Sequence, residues 1–163
     1  MSNGTKKSKL SNRNKKLIYP LQGASMIATG KCLCGIVKYE LKSSPLTSGI
    51  CHCKNCQRSG GSAFSTVAAV NKNDLVLIEG ELKLYCDSDT DSGDTVQRFF
   101  CDKCGSPIYS AVPSTPDILY LKLGSMDDTA YFSPQFHVFC SSKQHWVELN
   151  EAVPTSQKME NFG

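Results

Sequence analysis

Seven cysteines of this chain fall into three short blocks: Cys32-Leu33-Cys34, Cys51-His52-Cys53-Lys54-Asn55-Cys56 and Cys101-Asp102-Lys103-Cys104. One or two residues between thiols let a tight turn aim both sulfurs at one ion, whereas cysteines this close are poorly placed for an ordinary structural disulfide. Two pairs and a triple do not divide evenly. Cys32, Cys34, Cys101 and Cys104 together supply the four thiolates of a closed, structural zinc site. Cys51, Cys53 and Cys56 supply three, which leaves one position of a second, catalytic zinc for a water or a substrate. An ion with an open position lowers the pKa of a bound thiol or polarises a carbonyl. The expected cofactor is zinc, two ions per chain.

His52 stands between two of the expected ligands. In an extended segment its ring points away from theirs, which makes it an outer partner of the site. Imidazole is itself a good zinc ligand, so His52 as a fourth ligand is the competing reading. His137, His145 and Lys143 are further candidates to move a proton or steady an alkoxide, each with the plain alternative of an ordinary hydrogen-bonded residue. Trp146, the only tryptophan, reads as core rather than as a substrate platform. Cys86 and Cys140 lack close partners and read as packing residues.

The elements that position these groups are short strands. At 163 residues, 40% apolar, the chain suits one soluble domain. Strands are expected over 36–41, 63–70, 75–78, 82–85, 96–100, 108–112, 118–123 and 136–139, with at most a helical turn after Cys56. Residues 87–94, acidic and rich in Ser, read as an exposed hairpin tip. The fold class is all-β, a small domain of short antiparallel strands over 28–150. A basic disordered tail over 1–27 precedes it, and a polar tail over 151–163 is expected to fray after Val153.

Charge is split along the chain. No acid precedes Glu40, while Lys6, Lys7, Lys9, Arg13, Lys15, Lys16, Lys31 and Lys38 all do. The remaining ten Lys and Arg face all fifteen acids, a net of −5. Nucleic acid is therefore an expected partner only through the tail. No apolar run is long enough for a membrane span, and Pro20, Gln22 and Gly23 break up any signal peptide. Short Cys spacings without a secretion signal point to a reducing compartment, cytoplasmic with the nucleus as a second location. Two functions from different classes fit: an enzyme using the open triple, or a non-enzymatic zinc module that binds a macromolecular partner through the tail.

Three blocks, in order, resemble the glutathione-dependent formaldehyde-activating enzyme family, a domain shared with the vertebrate centromere protein V. They are Gly30-x-Cys32-x-Cys34-Gly35-x-Val37-x-Tyr39, then Cys51-His52-Cys53-x-x-Cys56-Gln57-Arg58-x-x-Gly61-Ser62-Ala63-Phe64, then Phe100-Cys101-x-x-Cys104-Gly105-Ser106-x-Ile108-Tyr109. Pro134-x-Phe136-His137-x-Phe139-x-Ser141-Ser142-Lys143-x-x-Trp146 is similar to the family's closing block. The resemblance implies a β-tent type zinc fold, with Cys32, Cys34, Cys101 and Cys104 on the structural zinc and Cys51, Cys53 and Cys56 on the catalytic one. It also implies a carbon–sulfur lyase-type reaction between glutathione, or a similar small thiol, and formaldehyde or a similar small aldehyde. Under it the expected product is S-hydroxymethylglutathione.

Overall fold

The computed structural model describes residues 28–130 and 132–159. The expected basic tail, 1–27, lies outside the described residues. From Ile36 to Leu41 every second residue is buried: Val37, Tyr39 and Leu41 face inward while Ile36 and Lys38 face water. That alternation is what a half-buried strand requires. Its hydrogen-bonded part is β2 (Lys38–Leu41), flanked by β1 (Ala28–Lys31) and β5 (Leu75–Glu79) in an antiparallel sheet of order β1-β2-β5.

The second sheet has seven strands. They are β3 (Thr47–Cys51), β4 (Ser65–Asn71), β6 (Leu82–Asp87), β7 (Val96–Cys101), β8 (Pro107–Ala111), β9 (Ile118–Lys122) and β10 (His137–Val138), in the order β10-β3-β4-β9-β8-β7-β6. All neighbours are antiparallel except β3 and β10, which run parallel. The only α-helix among the described residues is α1 (Lys54–Gly60). Ala68 and Val70 of β4, Leu119 and Leu121 of β9, and Ile108 of β8 pack with Val37, Tyr39 and Leu41 of the β2 segment in the main core. Cys32 and Cys101 belong to the same cluster, so one group of sulfurs is anchored in the core itself.

The fold is all-β, as the turn spacing suggested. Two strands were not visible in the sequence. β1 reads Ala-Thr-Gly-Lys and β3 reads Thr-Ser-Gly-Ile-Cys, and a glycine among small polar residues hides the pattern of a strand. Gly49 in β3 has a packing reason: a Cβ there would overlap the Phe136 ring.

Four expectations are corrected. Trp146 is 61% exposed, its indole N–H donating to Gln144 Oε1 at 3.2 Å. Cys86 is exposed because β6 is the outermost strand of its sheet. Asp87, expected at an exposed tip, is buried, because it still belongs to β6 and meets an arginine across the hairpin. The chain after Val153 does not fray at once. Ser156 N–H donates to His137 O and His137 N–H to Pro154 O, both at 2.8 Å, and Ser156 is buried. Among the described residues no helix is long and apolar enough to cross a membrane.

Candidate metal centre

The first group of sulfurs sits where two turns meet. Cys32 follows β1 and Cys101 ends β7. Each turn closes on a glycine in the left-handed region, Gly35 at φ 77° and Gly105 at φ 72°, a conformation a side chain would strain. Gly35 N–H donates to Cys32 O at 3.0 Å and Gly105 N–H to Cys101 O at 2.9 Å. The sulfurs of Cys32, Cys34, Cys101 and Cys104 all lie within 4.8 Å of one another. Cys32 and Cys34 Sγ are 3.4 Å apart and Cys34 and Cys101 Sγ 3.8 Å. Thiolates at zinc-bonding distance on the corners of a tetrahedron are separated by about 3.8 Å, so this donor set fits zinc. Ser106 ties the turns together, its Oγ accepting from Leu33 N–H at 3.0 Å and lying 3.2 Å from Cys104 Sγ. Contacts from the Ser106 hydroxyl and backbone bring Cys104 down to about 5.

The second group forms where a strand becomes a helix. Cys51 ends β3, Cys53 is the N-cap of α1, and Cys56 lies within the helix. Cys53 Sγ accepts from Cys56 N–H at 3.3 Å, the acceptor a helix N-terminus needs. These three sulfurs also lie within 4.8 Å of one another. Hydrogen bonds from Cys51 and Cys53 hold Cys56 down at about 2, helped by the charges of Lys122 and Arg98 and opposed by burial. The same sharing pushes Cys51 far up. Cys51 favours the Cys53 thiolate, but Cys56 and burial override it and raise Cys53 to about 11. One sulfur is thus an anion held by two thiols. A divalent cation would displace those two protons and take three thiolates, so the set fits zinc with one position left over.

His52 turns away from this cluster. It is fully buried, its Nε2 lies 3.0 Å from His137 Nδ1, and the two rings stack at 5.3 Å. Phe64 meets it edge-on at 5.6 Å. His52 Nδ1 is buried without a partner among the described residues. Burial, with the charges of His137 and Lys143, lowers His52 to about 4, so both rings are neutral at pH 7. His145 is exposed. Lys143 Nζ donates to Val147 O at 2.6 Å and Gln144 O at 3.2 Å. Cys140 is half-buried and, like Cys86, stands outside both sulfur groups.

The sequence profile of the family described as glutathione-dependent formaldehyde-activating enzyme matches residues 27–142. The chain belongs to this family. A Halomonas elongata protein provisionally named a glutathione-dependent formaldehyde-activating enzyme is 24% identical over 131 residues, covering 76% of this chain and 82% of the relative. Similar proteins of Podospora anserina and Penicillium rubens, with the same provisional name, are 27% and 28% identical over 70% and 74% of this chain. The chain spans 54% and 65% of these two fungal relatives' own length. A crystal structure of a Rhodobacter sphaeroides protein matches with a TM-score of 0.50 at 23% identity, over 62% of this chain and 89% of that one. It shares the fold.

Within this formaldehyde-activating-enzyme domain, several residues take up roles around the triple that the sequence did not assign to them. Gln57 donates to His52 O at 2.6 Å and to Ser142 O at 2.9 Å, tying α1 to the closing block. Arg98 Nη2 and Nε reach Asp87 Oδ2 at 2.6 and 2.9 Å, and Asn55 of α1 donates to the same carboxylate at 3.1 Å. Lys122 is buried at the end of β9 and donates to Ser65 Oγ at 3.3 Å. Ser65 is the register partner of Cys51, which sets this ammonium beside the triple. Each of these looks like an ordinary surface residue until strand register is known. Lys122 shares a strand face with Tyr120, opposite the core-facing Leu119 and Leu121, so the apolar pattern of the run does not mark it. A cavity of about 530 Å³ opens between α1 and the large sheet, with Lys122 and Arg98 in its wall.

Proposed function

We propose that this chain is an enzyme that joins a small thiol to formaldehyde, with glutathione as the thiol, as a zinc-dependent carbon–sulfur lyase run toward bond formation. The observation that carries this reading is the unequal sharing of sulfurs: four grouped where two turns meet, two of them in the core, and three at a strand–helix junction beside a cavity. The family name and the names of the relatives support the substrates.

In the reaction a sulfur–carbon bond forms, the carbonyl π bond breaks, and the thiol proton ends on the new hydroxyl oxygen. Cys32, Cys34, Cys101 and Cys104 would hold the structural ion, and Cys51, Cys53 and Cys56 the catalytic one. A zinc held by three thiolates supplies an open position that favours a thiolate at neutral pH or polarises a carbonyl. The chain's own residues shape that centre. Cys53 fixes the start of α1 and so the spacing of Cys56. Lys122 and Arg98 bring positive charge to a cluster that three thiolates and a divalent ion together would leave one unit negative. The His52–His137 stack holds the closing block behind the triple, as a positioning pair rather than as ligands.

Thiols add to formaldehyde unaided, so the site contributes by holding the two reactants together and by choosing the thiol. Thiolate ligands need a reducing compartment, which makes the cytoplasm the proposed location. Binding to nucleic acid through residues 1–27 concerns residues outside those described. The test is Cys53→Ser. Its hydroxyl still caps α1, so the variant is expected to keep the fold, lose one of two metals and lose turnover. A variant that keeps both metals, or that unfolds, contradicts the assignment of roles.

A further inference from the structure

The cavity beside the triple carries more positive charge than its own acids neutralise. Arg58, Arg98 and Lys122 line it against Asp87 and Asp89. Asp87 is already taken by Arg98 and Asn55. Among the described residues Arg58 makes no ion pair, and Lys122 has one hydrogen-bond partner, the Ser65 hydroxyl, for its three N–H groups. A buried ammonium with donors to spare is costly unless something accepts from them. The triple supplies negative charge on one side of Lys122. On the cavity side neither Asp87 nor Asp89 pairs with it.

A second, independent observation points into the same space. Ser110 lines the cavity, is 4% exposed, and its Oγ has no hydrogen-bond partner among the described residues. Register explains the grouping. Ser110 pairs with Arg98 on β7 and with Tyr120 on β9, and Lys122 lies two residues beyond Tyr120 on the same strand face. One row of the sheet thus presents a guanidinium, an orphaned hydroxyl and an ammonium to one cavity. Hydrophobic strands need none of them there.

We propose that this cavity is a carboxylate subsite: Lys122 and Ser110 bind a carboxylate of the thiol substrate, with Arg58 drawing it in from the rim, so that the site selects acidic thiols over neutral ones. The proposal rests on the reading that a thiol is the substrate at the triple, and it adds which thiols are chosen and by which side chains. Neither residue touches the sulfur or the aldehyde carbon, so both are specificity residues.

The test compares two small thiols that differ in a carboxylate, 3-mercaptopropionate and 2-mercaptoethanol. Each is titrated into the full chain loaded with Co²⁺, and binding is read from the visible absorption of the cobalt centre, without turnover. The wild-type protein is expected to bind the acidic thiol about tenfold more tightly, the size of one charge-assisted hydrogen bond. Lys122→Met is expected to remove that preference, so that the ratio of the two affinities falls to about one whatever change is common to both thiols. Ser110→Ala, which removes a hydroxyl that bonds nothing in the free protein, is expected to fold normally and to weaken only the acidic thiol. Equal affinity of the wild-type protein for both thiols overturns the subsite while leaving thiol binding in place. Equal loss of both thiols in Lys122→Met, with Ser110→Ala unchanged, also overturns it and makes Lys122 a partner of the thiolates alone. If neither thiol alters the cobalt spectrum, the thiol reading of the triple fails first and the subsite falls with it.

Discussion

At the scale of single residues, the site is a problem of charge. Three thiols in contact cannot all ionise, and Cys56 takes the charge that Cys51 and Cys53 stabilise with their protons. Metal binding must therefore release protons, and metal affinity is expected to fall as pH falls below neutrality; a chelator competition between pH 8 and pH 6 measures it. His52 gives a second pH effect of the same sign. Its folded pKa of about 4 lies below the ordinary 6.5, so the unfolded chain binds the extra proton first. That contribution to stability is complete above pH 6.5 and is lost as pH falls toward 4. In urea unfolding of the metal-loaded protein, His52→Gln should flatten the decline between pH 6.5 and 5, whereas an unchanged slope would assign the whole decline to the thiolates. The division of sulfurs into four and three was legible from spacing alone, because a Cys-x-x-Cys turn limits where its sulfurs can go. Lys122, Arg98 and Asp87 were not. They meet the triple or its helix only through register across β4, β7 and β9, and no local pattern records register.

At the scale of elements, the closing block is what completes the triple. β10 runs parallel to β3, and Val138 and Phe139 pack on Cys51 and Cys53. Phe139 is the only residue other than glycine with positive φ among the described residues, at 56°, and the packing of its ring offsets that strain. Gln57 joins α1 to this block through two backbone carbonyls. Gln57→Leu leaves both acceptors unmet and is expected to destabilise by about 1–3 kcal/mol. Gly49→Ala forces a methyl group against Phe136 and should cost a similar amount, about 1–3 kcal/mol. Denaturant midpoints check both, and an unshifted midpoint in either would mean that the block docks by other contacts. Most strands were legible because β2, β4 and β9 alternate or run apolar. β1 and β3 were hidden by Gly30 and Gly49, whose small size serves packing against Tyr39 and Phe136.

At the scale of the whole molecule, two metal sites would have unequal tasks. Cys34 and Cys101 are 67 positions apart in sequence, so an ion there ties the turn after β1 to the end of β7 in the large sheet. Closing so long a loop should make that ion part of the fold. The three-sulfur ion ties residues only a few positions apart and contributes little to the global architecture. Stepwise chelation is therefore expected to remove one metal with no change in far-ultraviolet circular dichroism, and to unfold the chain on removal of the second. The most direct measurement is X-ray absorption at the zinc edge, on protein with its metals counted, before and after adding glutathione. Two zincs per chain are expected, one ringed by four protein sulfurs and indifferent to the thiol. The other is expected to have three protein sulfurs and to exchange a light-atom ligand for a sulfur. A second zinc already enclosed by four protein ligands, or no metal at Cys51, Cys53 and Cys56, would contradict the account.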